Sequence, residues 1–324
     1  MDGRIRFLIC SDIHYASALE KERVNYEINA IESPFQRLLV RFYRHYIWLR
    51  NPFGHNHLLE RVLNPPFDPD WVVANGDYSC DSAFIGVSDP AAFASARECL
   101  GALRGRYSDR FAAVYGDHEL GKVSLCSGKG GLRLRSFDVA RSDLALEPLW
   151  TKRFGNYVLI GITSSLVAMP VFQHETLDEE KEQWQKLARE HSKEIESVFD
   201  SLRSNDRVIL FCHDPTALPF LAEIPAVRAR QAQIERTVIG HLHSPLILQQ
   251  SKILSGIPKI SFCGPTVLRN TSALSKAKAW RGFNILLCPS LPGLQLTKHG
   301  GFYEMDLDPT ARDPARFQLH SIRW

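Results

Sequence analysis

The chain has 324 residues, enough for one large domain or two small ones, each with its own hydrophobic core. No apolar run approaches the ~20 residues of a membrane-spanning helix, and no signal-peptide core follows Met1. Lysine and arginine exceed aspartate and glutamate by only 39 to 36, so net charge does not indicate a nucleic-acid-binding protein. None of the seven cysteines forms a CxxC pair, which predicts reduced, mostly buried thiols in a cytoplasmic protein.

The first predicted strand, 5–10, is followed closely by Asp12 and His14, two residues that can bind a metal. Roughly sixty residues then separate this pair from the next predicted strand, which is long for a connection within an α/β unit. We therefore expect an insertion over 15–68.

Within the insertion, 33–50 predicts a helix that begins near Pro34. Its two kinds of side chain separate onto different faces: arginines at Arg37, Arg41 and Arg44, and large apolar residues at Phe35, Leu38, Leu39, Phe42, Tyr46 and Leu49. This pattern is typical of a lid over a lipid or other large substrate, or of a helix in peripheral contact with an anionic membrane. The alternatives are a helix whose apolar side packs on the domain while its arginines face water, and a helix that lines a nucleic-acid groove.

Two further strands are predicted at 71–75 and 111–115. Side chains suited to a metal or to proton transfer follow them: Asp77 after the first, and Asp117, His118 and Glu119 after the second. The second motif lies in GDHELGKV, whose glycines and lysine also have the spacing of a phosphate-binding loop. That interpretation fails at Val123, because the loop needs a serine or threonine hydroxyl there to bind magnesium.

The second half of the chain predicts strands at 157–162, 207–212, 237–240 and 259–263, with a long amphipathic helix over 177–203. Thr176 and Glu179 predict a capping box at the start of that helix. Three histidines follow these strands: His213 after one, and His241 and His243 after another. Beyond them, NILLC, LQLTKHGGFYEMDLD and FQLHSIRW predict antiparallel strands with a Gly-Gly turn at 300–301.

Most of these strands are continuously apolar, as in sheets covered by helices, and they predict a layered α/β fold with mixed sheets. Because ligands gather at the carboxyl ends of strands, the polar residues are expected to converge. Carboxylates and imidazoles suit manganese, iron or zinc, and a two-metal centre with one shared ligand needs about seven donors. The sequence offers Asp12, His14, Asp77, Asp117, His213, His241 and His243.

Taken in order, the motifs Asp12-x-His14, Gly76-Asp77, GDHE at 116–119, His213 and GHxH at 240–243 resemble those of the calcineurin-like metallophosphoesterases. The resemblance covers residues 5 to about 245. It implies one domain over 1–324, a four-layer α-β-β-α sandwich with two mixed sheets. It also implies two metal sites: Asp12, His14, Asp77 and His243 in the first, and Asp77, Asp117, His213 and His241 in the second.

The resemblance further implies a two-metal phosphohydrolase. A metal-bridging hydroxide would attack a phosphodiester, a pyrophosphate or a phosphomonoester, with His118 acting on the leaving oxygen and Glu119 orienting it. One residue departs from the pattern, since the family usually has asparagine where Asp117 stands. The extra negative charge would tighten the second metal or mark a changed activity.

The substrate class stays open among nucleotide, lipid-linked and protein phosphates. We expect two divalent ions, manganese first with iron and zinc as alternatives, and a phosphate-containing small molecule or lipid as partner rather than nucleic acid. The expected location is the cytoplasm, with peripheral contact at the inner face of the membrane. The alternative function is a non-catalytic metal-binding scaffold that binds a partner or an anionic membrane through the 33–50 helix.

Overall fold

The computed structural model describes residues 3–124, 127–253 and 277–324. Within these residues, ten strands, numbered along the chain, form two five-stranded sheets. The first sheet has the order β10 (Arg316–Arg323), β9 (His299–Leu307), β1 (Ile5–Cys10), β2 (Trp71–Ala74) and β3 (Phe111–Ala113). The second has the order β4 (Leu149–Phe154), β5 (Tyr157–Ile162), β6 (Arg207–Cys212), β7 (Ile234–Ile239) and β8 (Ile285–Leu287).

Both sheets are mixed. Strands β1, β2 and β3 run parallel, and β9 pairs antiparallel with both β1 and β10. In the second sheet β5 to β8 run parallel, and β4 is antiparallel to β5. The parallel strands direct several carboxyl ends to one edge of each sheet, which is where an α/β fold gathers its ligands.

Thirteen α-helices lie in the described residues. They are α1 (Ala18–Lys21), α2 (Tyr26–Ala30), α3 (Pro34–Tyr46), α4 (Leu59–Leu63), α5 (Pro90–Tyr107), α6 (Asp117–Leu120), α7 (Leu134–Ser142), α8 (Ser164–Val167), α9 (Met169–Phe172), α10 (Lys181–Asp200), α11 (Leu218–Leu221), α12 (Pro225–Arg230) and α13 (Pro245–Ile253). None of these is long and apolar enough to cross a membrane.

The core separates into layers because successive side chains of a strand point to opposite faces. Phe7 and Ile9 of β1 belong to a cluster shared with the inward side chains of the second sheet, such as Phe211. Leu8 belongs instead to the cluster that contains Leu100 of α5. The two sheets therefore pack face to face with helices outside them, and the predicted four-layer α-β-β-α sandwich is confirmed.

Two details of the predicted strands are wrong. The segment NILLC forms β8, which lies parallel to β7 rather than antiparallel in the tail. Gly300 and Gly301 lie inside β9, opposite β10, and the turn between these strands is built instead around Asp308, whose carboxylate accepts from the backbone N–H of Thr310. The predicted strand 259–263 falls outside the described residues.

The long helix is also shorter than predicted, because a 3₁₀ turn at Asp178–Glu180 precedes α10. The predicted capping box does not form. The hydroxyl of Thr176 donates to the carbonyl of Gln173 at 2.9 Å, and this turn competes with capping of the helix.

The insertion forms four helices, of which α3 is the predicted amphipathic one. It begins after Ser33, whose hydroxyl accepts from the N–H of Gln36, and it ends at Tyr46 rather than residue 50. The chain leaves the helix because the Ile47 carbonyl accepts from the N–H of Leu296. That one domain spans 1–324 with an insertion at 15–68 stays a prediction.

The side of α3 that packs inward is narrow. Val40 and Arg44 are buried, and Val40 packs with Ile28 and Ile31. The broad apolar side faces solvent, with exposed fractions of 68% at Phe35, 64% at Leu38, 51% at Leu39, 61% at Phe42 and 55% at Tyr46. The alternative in which the helix packs by its apolar side is therefore wrong.

Candidate metal centre

Loops at the carboxyl ends of the strands hold the predicted polar residues. The backbone N–H groups of Asp12 and His14 donate to the carbonyls of Gly76 and Asp77, each at 3.0 Å, so the loops after β1 and β2 stay paired beyond the strands. In the second sheet the N–H of Gly240 donates to the His213 carbonyl at 2.9 Å. These bonds fix the two loops of each sheet relative to each other.

The structure brings all seven predicted metal-binding side chains together. They form two groups, Asp12, His14, Asp77 and His243 in one, and Asp77, Asp117, His213 and His241 in the other, with candidate ligand atoms within 4.8 Å of one another in each group. Asp77 belongs to both. The grouping matches the two-site assignment implied by the family resemblance.

Five of these residues have a left-handed backbone, which is uncommon outside glycine: Asp12, His14, Asp77, His241 and His243, with φ between 49° and 60°. Each such conformation costs about 1 kcal/mol or more and persists only where the surroundings impose it. Glycines make room for them. A Cβ atom on Gly116 would clash with Asp77, and one on Gly240 would clash with Asp12.

The hydrogen bonds of the imidazoles leave lone pairs facing the centre. The Nδ1 atom of His14 donates to the Ser79 carbonyl at 3.2 Å, so its Nε2 is left as an acceptor, 3.1 Å from Nε2 of His243. The latter atom is 3.3 Å from Oδ1 of Asp12. Such a cluster of acceptors is repulsive unless a cation or proton lies between them.

In the second group, too, an imidazole nitrogen without a hydrogen-bond partner faces carboxylate oxygens. Nδ1 of His213 donates to the Asn75 carbonyl at 2.5 Å, and its buried Nε2 has no hydrogen-bond partner among the described residues. That atom lies 3.3 Å from Oδ2 of Asp77 and 3.4 Å from Oδ1 of Asp117. The donor set of three carboxylates and four imidazoles therefore fits two divalent ions of the manganese, iron or zinc type.

The buried charges shift one another strongly. Burial and the neighbouring carboxylate of Asp117 oppose ionisation of Asp77, but nearby imidazoles, His213 among them, outweigh both and lower the pKa of Asp77. Burial likewise disfavours a charged His241, yet Asp214 and Asp117 raise the pKa of that imidazole to about 9. The site is thus an anionic pocket that attracts positive charge.

His118 lies beside the two groups but is held differently. Its Nδ1 atom donates to the Ser79 carbonyl at 2.8 Å, and its Nε2 atom accepts from the ammonium of Lys122. Burial lowers the pKa of His118 to about 3, and Lys122 acts in the same direction. The neutral imidazole therefore presents Nε2 toward Lys122 and toward Oδ2 of Asp77, 3.6 Å away.

The family resemblance implies that Glu119 orients His118, but the structure places the Glu119 carboxylate elsewhere. Its carboxylate accepts three backbone N–H groups instead, from Asp77 at 3.0 Å, Tyr78 at 2.8 Å and Gly116 at 2.8 Å. Two of these donors belong to the loop after β2 and one to the loop after β3. Glu119 therefore ties together the two loops that carry Asp77 and Asp117.

Several residues that line the site were missed by the sequence interpretation. A cavity of about 190 Å³ opens at the centre, and Glu27, Trp48 and Lys122 line it together with proposed ligands. The Trp48 ring lies 4.5 Å from the ring of His243. Lys122 was visible within GDHELGK but was considered only as part of a nucleotide loop, whereas no local signal pointed to Glu27 or Trp48.

A family model described as calcineurin-like phosphoesterase matches residues 5–245, a range that contains all nine predicted site residues. The chain belongs to this family. It is a metal-dependent phosphoesterase, and the two side-chain groups are its candidate dinuclear centre. A comparison with curated proteins finds no significant match.

Three solved structures resemble this phosphoesterase at a distance. Phosphopantetheinyl hydrolase from Mycobacterium tuberculosis is 15% identical with a TM-score of 0.37, covering 76% of this chain and 85% of its own. A purple acid phosphatase from yellow lupin seeds is 13% identical with a TM-score of 0.35, covering 75% and 38%. The GAP50 anchor of the Plasmodium inner membrane complex is 10% identical with a TM-score of 0.37, covering 99% and 90%.

Proposed function

We propose that this phosphoesterase hydrolyses a phosphodiester or pyrophosphate bond in a lipid-linked or nucleotide substrate, with two manganese ions as its cofactors. The observation that carries the proposal is the sharing of Asp77 between two groups of carboxylates and imidazoles. Two bound cations would supply Lewis acidity and neutralise charge that develops on the phosphoryl oxygens.

The protein side chains have distinct parts in this proposal. The proposed ligands are Asp12, His14, Asp77, Asp117, His213, His241 and His243. Glu119 holds their loops in place through its three backbone hydrogen bonds. Lys122 and His118 stand at the cavity wall, where the ammonium can donate to a phosphoryl oxygen and the Lys122–His118 pair can deliver a proton to the leaving oxygen.

The cavity wall also supports a partly apolar substrate at a membrane. Tyr43 and Trp48 line the cavity, and they lie on or just after the helix whose apolar side faces solvent. We propose peripheral contact with the cytoplasmic face of a membrane.

The five cysteines within the described residues support a reducing location, because they are buried and free, and burial raises the pKa of Cys10 to about 12.

The test is hydrolysis of bis(4-nitrophenyl) phosphate by the manganese-loaded protein and by the variant Asp77→Asn. Loss of the shared carboxylate removes one ligand charge from both sites, and we expect kcat/KM to fall by about 10³-fold or more. Asp109→Asn is the matched control, since Asp109 is an exposed carboxylate on the surface. Equal activity of the Asp77 variant and this control would contradict the two-metal assignment. Metal binding without turnover of any phosphate ester would instead indicate the scaffold function.

A further inference from the structure

A second and larger cavity adjoins the metal centre. It has a volume of about 720 Å³, against about 190 Å³ at the metal centre itself, and it lies between α2, α3 and the chain around residues 50–53. Its size is sufficient for a substantial part of a small organic molecule.

The wall of this cavity is strongly basic. Lys21, Arg41 and Arg50 line it, their side chains are exposed, and none of them has an ion pair within the described ranges. Among the described residues, Glu27 is the single carboxylate that lines the cavity. Its Oε2 atom accepts from Nε of Arg44 at 2.5 Å, so that charge is already neutralised. Three cations therefore line the cavity with no counter-charge from the part of the chain that the structure describes, and an anion there would gain charge-assisted hydrogen bonds.

The cavity shares a wall with the metal centre. Tyr26, Glu27, Arg44 and Pro52 line both this cavity and a small pocket that is also lined by His14, His118 and His243. Arg44 fixes this wall, since its guanidinium also donates to the Tyr26 hydroxyl at 3.3 Å. The basic cavity therefore lies one layer of side chains away from the metal centre.

We propose that the basic cavity binds a second phosphate group of the substrate, so that the preferred substrates carry one phosphate at the metals and another a few bonds away. This inference rests on the proposed function, because it treats the metal centre as the place of the scissile phosphate. It narrows the substrate class to bis-phosphorylated molecules, for which a single-phosphate ester is only a partial mimic.

The experiment measures binding and turnover separately. Isothermal titration of the manganese-loaded protein compares thymidine 3′,5′-bisphosphate with thymidine 5′-monophosphate. We expect the bisphosphate to bind at least about tenfold more tightly, and the double variant Arg41→Gln, Arg50→Gln to lose that preference. The matched control is Arg316→Gln, Arg323→Gln, which removes two exposed arginines from β10 and should keep the preference.

Turnover of the 4-nitrophenyl ester of thymidine 5′-monophosphate is measured in parallel. A bisphosphate preference without turnover would support the cavity and contradict the proposed hydrolysis. Turnover without a bisphosphate preference would overturn the cavity proposal and leave the hydrolase standing. A preference that survives in the Arg41, Arg50 double variant would also overturn it, because the second phosphate would then bind elsewhere.

Discussion

Asp117 carries the charge by which this site differs from the usual pattern of its family. Its Oδ1 atom accepts from Nδ1 of His241 at 2.9 Å and lies 3.4 Å from Nε2 of His213. Burial opposes its ionisation, yet these imidazoles lower its pKa, with His241 contributing most. The second group thus has one more negative charge than asparagine would provide, and this favours tighter retention of a cation.

We predict that Asp117→Asn keeps both metal sites but weakens the second by about tenfold, because one oxygen ligand remains while its charge is lost. Asp117→Ala removes the oxygen as well and should weaken that site by about 100-fold or more. Manganese titration with measurement of bound metal checks both values. Wild-type affinity in the alanine variant would remove Asp117 from the proposed ligand set.

At the scale of single residues, the sequence predicts those site residues whose place depends on local spacing along the chain. Asp12 and His14 could be selected because both lie within four residues of the end of β1, and ligands bind at the carboxyl ends of strands in α/β sheets. Lys122 and Trp48 could not be assigned in the same way. Trp48 reaches the centre only because the insertion folds back over it, and Lys122 becomes relevant only once His118 is seen to accept from it.

At the scale of elements, α3 is the least expected helix. A water-exposed helix normally buries its apolar side, whereas α3 buries Arg44 in an ion pair with Glu27 and leaves Leu38 and Phe42 in solvent. Burying each of these two apolar side chains in a membrane interface would contribute about 1.5–3 kcal/mol. Arg37, exposed on the same helix, would add attraction to anionic lipid.

We predict that Leu38→Ser, Phe42→Ser lowers the binding of the protein to phosphatidylglycerol-containing vesicles by at least about tenfold. Cosedimentation with the vesicles measures this. Leu319→Ser on β10 is the control, since Leu319 is also an exposed leucine, with 46% of its surface accessible. If the wild-type protein stays in the supernatant at low salt, α3 is not a membrane-binding helix.

Whether a segment forms a strand was easier to predict than which strand it pairs with. Strands 5–10, 157–162 and 207–212 have the predicted bounds, because their mostly apolar runs of six residues have the length of a strand and are shorter than a typical helix. The pairing of β8 with β7 depends on the return path of the chain, which no local pattern encodes. The position of Gly300 could not be predicted from local sequence either, because a turn and a strand accommodate glycine equally well.

At the scale of the whole molecule, stability should depend on pH through His55. This imidazole is buried against the Trp324 ring, 4.4 Å away, and its Nδ1 atom has no hydrogen-bond partner in the described part of the chain. Burial, followed by the neighbouring His57, lowers the pKa of His55 from 6.5 to about 4. Between these values the unfolded chain binds the extra proton and the folded protein does not.

The stabilising effect is therefore complete above pH 6.5 and is lost as the pH falls toward 4, by on the order of 2–3 kcal/mol. We predict that urea unfolding of metal-free wild type and of His55→Gln gives a stability difference that shrinks by this amount between pH 7.5 and pH 4. The exposed His299→Gln serves as control. A pH-independent difference for the His55 variant would show that His55 titrates alike in both states.

Each proposed metal site draws on both sheets. Asp12, His14 and Asp77 follow strands of the first sheet and meet His243 from the second, and Asp77 and Asp117 meet His213 and His241 in the same way. A cation at either site would be bound by side chains from both sheets and would therefore crosslink the two sheets. If one sheet shifted relative to the other, the ligands would move apart. The protein would then lose the crosslink between its sheets and the arrangement of its metal ligands at the same time.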